Sequence, residues 1–211
     1  MTNKYLEGWR RYGKVTGLWN PKRKQQIEKL RPTCANLDSA MSYFQGIKET
    51  VESQPVSKDI DFLQIGMSLV AAGVAKQCEI WKVDYGEMLL NTSRVMLTKL
   101  QEKISKLEED VSSETTDLEQ LKYCLNVIAE VQAMTQDVEL EMMDINERYR
   151  TLLRYSIEVP EDEMEAALGI EARWRRLYVD SRTRDLRLVS TRCSKCIPCF
   201  RYHVFMPWQP V

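Results

Sequence analysis

Histidine is nearly absent: His203 is the only one among the 211 residues. Any Ser–His or Cys–His nucleophilic site would have to be built around it. Glycine is scarce as well, and none of the eight completes a G-x-x-x-x-G-K-[ST] or G-x-G-x-x-G phosphate cradle. The most apolar run, residues 62–75, holds Gln64, Gly66 and Gly73. It falls short of the roughly 20 residues a spanning helix needs. The opening residues MTNKYLEGWRRYGK carry no apolar stretch of signal-peptide length. The expectation is a chain of the cytoplasm or cytoskeleton with no membrane association. A net charge of −1 gives no positive excess for a generic nucleic-acid partner.

What charge there is comes in blocks. Residues 1–32 are basic through Lys4, Arg10, Arg11, Lys14, Lys22, Arg23, Lys24, Lys29 and Arg31. Residues 101–147 are acidic, and residues 171–192 turn basic through a run of arginines. Blocks of opposite sign pair within a fold or dock a partner; most such charges are solvated helix faces. Cys34, Cys78 and Cys124 stand isolated in apolar patterns, as buried free thiols do in a reducing compartment.

The chain reads as mainly α, an elongated helical bundle with one long helix and at most one short strand. A short helix with Tyr5, Trp9 and Tyr12 gives way to a turn before Pro21, and a second helix runs over about 22–30. From Thr33, Leu37, Ala40, Met41, Phe44, Ile47 and Val51 recur every three or four residues, which predicts a helix ended by Ser53-Gln54-Pro55. DIDFLQIGM predicts one strand or extended connector, with Ser68 capping the next helix. That helix carries Val74, Cys78, Trp81 and Tyr85 to about Leu90. The cluster Asn91-Thr92-Ser93 reads as a cap that starts a separate helix.

Thr116 and Glu119 have capping-box spacing, and no Pro or Gly follows before Pro160. One helix over 118–155, roughly 55–60 Å long, is therefore expected. Its apolar positions are Leu118, Leu121, Leu125, Ile128, Val131, Met134, Val138, Met142, Ile145, Tyr149 and Leu152, a heptad-like seam with a slip between Ile128 and Val138. A slipped seam suits an antiparallel bundle. The packing residues expected to matter most are Leu125, Ile128, Val138, Ile145, Tyr149, Leu152 and Trp174. Pro160 opens a last helix whose buried face is expected to use Met164, Leu168, Trp174, Leu177 and Val179. Residues 1–189 form this helical region. Residues 190–211, rich in Cys, Pro and aromatics, read as an irregular, disordered tail.

That tail holds the one constellation with ligand chemistry. Cys193, Cys196, Cys199 and His203 give C-x2-C-x2-C-x3-H, four soft donors that could surround zinc. The loops between them are short and Pro198 interrupts the run, so the expected cofactor is none. A small zinc-binding interaction module is the alternative.

Residues 121–155, LKYCLNVIAEVQAMTQDVELEMMDINERYRTLLRY, resemble the tail-to-linker segment of dynein heavy chains, with L-K-x-x-L-x-x-I-A-E-[IV] and then D-[IL]-x-E-R-Y-R-T-[LM]. VPEDEMEAALGIEARWRRLYVDS is similar to the family's proline start and W-x-x-L helix, here Pro160, Trp174 and Leu177. YLEGWRRYGKVTGLW and IDFLQIGMSLV…CEIWKVDYGEMLLN follow the same order upstream. The variant is similar to the axonemal (ciliary) heavy chains. The resemblance implies a noncatalytic structural segment of a microtubule-based ciliary motor, truncated before the ATPase ring, in the cilium axoneme. Dynein intermediate and light chains or other heavy chains would be its partners, with indirect microtubule association. A nonfunctional truncated isoform is the other outcome that this family context implies.

Overall fold

A computed structural model describes residues 2–14, 22, 25, 27, 29, 32–60, 62–114 and 117–200. Helix α1 (Thr2–Arg10) runs into a 3-10 turn (Arg11–Lys14). Then come α2 (Cys34–Ser53), strands β1 (Ser57–Ile60) and β2 (Leu63–Gly66), and α3 (Ser68–Ser112). The last three helices are α4 (Leu118–Ala133), α5 (Thr135–Arg154) and α6 (Glu161–Phe200). The expected helix over 22–30 lies mostly outside the described residues. Among the described residues no helix is long and apolar enough to cross a membrane.

The chain divides into two compact units. One joins Met1–Met96 to Ile145–Met164, the other Leu97–Asp144 to Glu165–Val211. In the first, α2 starts where expected: Thr33 is extended and its hydroxyl accepts from the Asn36 N–H at 3.3 Å. Its buried stripe is Leu37, Met41, Phe44 and Val51. Phe44 stacks on Trp81 and Tyr85 of α3, with ring centroids 6.2 and 5.8 Å away. Tyr12 donates to Gln54 at 2.9 Å, tying the 3-10 turn to the end of α2.

Three expectations about where the chain bends are corrected. The single strand is a hairpin, paired antiparallel from Ser57↔Gly66 to Ile60↔Leu63. The expected cap at Asn91-Thr92-Ser93 is the interior of α3, a helix of 45 residues. Here the hydroxyls bond backwards: Thr92 donates to the carbonyls of Met88 and Leu89, and Ser93 to that of Leu89 at 2.6 Å. Spent on their own helix, they satisfy carbonyls instead of capping new N–H groups.

Conversely, the expected helix over 118–155 is two helices. Met134 leaves the helical region at φ −88°, ψ 1°, and the Thr135 hydroxyl bonds back to Val131 at 2.8 Å. This is where the seam slips, and a bend there re-aims the stripe. Helix α4 is capped one residue later than Thr116 and Glu119 suggest, by Asp117, whose N–H donates to Gln120 at 3.4 Å.

Helix α6 does not stop near Val189. Its backbone stays helical for 40 residues, to Phe200, and neither Gly nor Pro stands near Val189 to end it. Residues 190–200, where the irregular tail is expected to begin, carry helical backbone, and 201–211 lie outside the described residues. The buried face of α6 is also corrected. It consists of Ala167, Ile170, Trp174, Leu177 and Ser181, whereas Leu168 is 71% exposed and Val179 54%. At 100° per residue, the face through Trp174 and Leu177 collects 167, 170 and 181 and leaves 168 and 179 on the far side.

Candidate functional site

The candidate site is helix packing, and each unit has a buried seam of its own. In the first unit, α5 presents Ile145, Tyr149 and Leu152, exposed by 0, 3 and 0%. The seam is bracketed by polar ties to neighbouring helices. Tyr149 donates to Glu163 at 2.7 Å, and Arg94 of α3 holds the same carboxylate at 2.9 Å. Tyr155 donates to Asp38 of α2 at 2.9 Å, with Arg154 on that carboxylate at 3.2 Å. The Cys34 thiol lies 3.7 Å from the Thr151 hydroxyl. Glu79 bridges Lys82 at 2.8 Å and Lys48 at 2.9 Å, and these bonds, that of Lys82 first, hold its carboxyl below the usual range.

Helix α5 ends in a Schellman turn. Ser156 takes φ 55°, its N–H bonds Leu153, and the Ile157 N–H bonds Leu152, both at 3.0 Å. The turn fixes Ile157 over Gly86 of α3 so closely that a Cβ built on Gly86 would stand 2.6 Å from two Ile157 side-chain atoms.

Burial first, and then the bond to Glu163, push the Tyr149 hydroxyl well above the usual tyrosine range. A phenol that keeps its proton longer folded than unfolded contributes stability below about pH 10, lost as pH climbs beyond that value. Burial, followed by its bond to Asp38, shifts Tyr155 in the same direction. Tyr149→Phe is expected to shallow the alkaline loss of stability without removing it, since Tyr155 still titrates. Urea midpoints measured from about pH 9 to about pH 11 check this. An alkaline limb unchanged in slope would contradict the assignment.

In the second unit the seam is apolar on every helix. From α3 come Leu97, Leu100, Ile104, Leu107 and Val111, all buried and in unbroken heptad spacing. Helix α4 adds Cys124, Val127, Ile128 and Val131, α5 adds Val138 and Met142, and α6 adds Ala167, Ile170, Trp174 and Leu177. Arg173 of α6 bonds Glu108 at 2.5 Å and the Ser105 hydroxyl at 2.8 Å. Arg184 donates to the carbonyls of Val111 and Ser113, where cationic side chains suit the unsatisfied end of α3.

Of the residues singled out from sequence, Ile128, Val138, Ile145, Tyr149, Leu152 and Trp174 are buried, while Leu125 is half-buried. Leu118 is 63% exposed, and Cys124 and Val127 carry that end of the seam. Sequence reasoning passed over 97–111, although its 3-4-3-4 spacing was readable. Burial pushes the Cys78 thiol up, which disfavours the reactive thiolate. The side chains of Cys193, Cys196 and Cys199, and all of His203, lie outside what is described. Among the described residues no cluster of three or more His, Cys, Asp or Glu is placed to hold a metal.

The buried heptads decide which relatives to expect. Residues 85–180 match the family model for the dynein axonemal heavy chain 2/5/8 coiled-coil. The chain is 29% identical over 181 residues to human dynein axonemal heavy chain 10, covering 84% of this chain. The chain is similar to the axonemal dynein heavy chains. It is also 25% identical to the dynein-1-alpha heavy chain of the flagellar inner arm I1 complex of Chlamydomonas reinhardtii, over 90% of its length. Mouse dynein axonemal heavy chain 2 is 19% identical over 81% of it. The chain spans about 4% of the length of each of these dynein relatives. The part that matches the family model is a coiled-coil region.

Proposed function

We propose that this chain is a noncatalytic structural segment of an axonemal dynein heavy chain, in the tail-to-linker region of a ciliary motor. It carries force between packed helices and docks intermediate chains, light chains or a neighbouring heavy chain. The supporting observation is the buried apolar stripe that each unit carries on its helices within residues 85–180, the part matched by the coiled-coil family. Burying each Leu or Ile of that seam contributes about 1.5–3 kcal/mol. A helix so held moves as a stiff element, which suits transmission of load better than the shaping of a reaction centre.

The test is recovery of identified chains from ciliary extract on the immobilised full chain, its helicity first checked by circular dichroism. Intermediate chains, light chains or a dynein heavy chain in the eluate support the reading. A well-folded chain that recovers none of these, or that hydrolyses ATP by itself, overturns it.

A further inference from the structure

Helix α6 has a second seam on the face opposite its buried one. Leu168, Ala172, Arg175, Val179, Arg182 and Leu186 follow one another at intervals of four, three, four, three and four. All six are exposed, Leu168, Val179 and Leu186 by 71, 54 and 68%. On a helical wheel they fall within about 80° of one another, the narrow stripe of a coiled-coil interface. Single exposed leucines need no explanation, but a row in heptad register over five turns is organised surface.

The stripe also states the chemistry of its occupant. Two of the six core positions are arginines, at 175 and 182, one heptad apart. Beside them, Arg176 and Arg187, with Arg173 and Arg184, line a groove of about 1020 Å³ in which Glu108 and Asp180 are the only acids. Arg175 already bonds Glu171 at 2.7 Å, yet both side chains remain well exposed. A helix laid on this stripe takes two guanidinium groups out of water, which is unfavourable unless carboxylates replace the water. We infer that the outer face of α6 docks an acidic amphipathic helix, with apolar side chains on Leu168, Val179 and Leu186 and Glu or Asp on Arg175 and Arg182. This deepens the proposed function by naming a partner-facing surface. A synthetic helix tests it, so its outcome does not depend on whether ciliary chains are recovered.

The probe is a labelled helical peptide of about four heptads with leucine at a and glutamate at d, and a twin with lysine for every glutamate. Binding to the full chain is read by fluorescence anisotropy at low and moderate salt. The acidic peptide is expected to bind roughly tenfold or more tightly than its twin, and less so as salt rises. Arg175→Glu combined with Arg182→Glu is expected to invert that preference, an inversion that misfolding does not produce. The wild-type preference between the twins stands as a result without any variant. Failure of the acidic peptide to bind, or equal binding of both twins, overturns the inference. So does a chain whose own dimer, dissolved by Leu186→Lys in sedimentation, already covers the stripe.

Discussion

Ile145→Asp and Leu152→Asp are each expected to abolish cooperative thermal unfolding, whereas Leu153→Asp leaves it nearly unchanged. Ile145 and Leu152 are 0% exposed and Leu153 is 57% exposed, all on one helix. A carboxylate at either position would stand in the fully buried stripe of α5, so it must be taken out of water or force the helix off its neighbours. Burial of an unpaired charge costs more than about 4 kcal/mol, a large part of the roughly 5–15 kcal/mol that holds a domain together. The same carboxylate at Leu153 stays in water and moves stability by about 0.5 kcal/mol or less. Melting followed at the helical circular-dichroism band separates the outcomes. Equal melting of all three variants would mean that the seam does not hold this unit.

The contrast between Leu152 and Leu153 shows which features were legible in the sequence. Inward positions repeat every three or four residues, so the buried sides of α2 and α5 could be read from the spacing of Leu37, Met41 and Phe44, and of Ile145, Tyr149 and Leu152. The same rule misled at α6, because that helix carries two apolar stripes. Leu168 and Val179 look no different from Ile170 and Trp174 until the phase of the helix is known. Breaks were less legible than faces. A hydroxyl can cap the next helix or bond back into its own, and Thr92 and Ser93 took the second course. Met134 bends the chain with no Pro or Gly to announce it, and its one trace is the slip in the seam. The tie between Arg184 and the end of α3 joins residues 73 positions apart, which no local pattern encodes.

Gly86→Ala is expected to destabilise the chain, against the direction that helix propensity alone would give. In the interior of α3 an alanine should be better than glycine by about 1 kcal/mol. The added methyl, however, would sit 2.6 Å from Cδ1 and Cγ1 of Ile157 and 3.3 Å from Cγ2, well inside contact distance. Ile157 has little room to retreat: it is 8% exposed, and its N–H is bound to Leu152 at 3.0 Å in the turn that Ser156 makes. Overpacking of this kind costs about 1–3 kcal/mol, enough to cancel the gain in propensity and exceed it. Ile157→Ala alone should cost about 2–4 kcal/mol through the cavity it opens. Combined, the two changes should cost less than their sum by about 1–2 kcal/mol, because the new methyl enters the space the isoleucine left. Urea midpoints for the four members of the cycle measure that coupling directly. Additive costs, or a Gly86→Ala variant more stable than the parent, would show that α3 and the turn after α5 do not meet in this way.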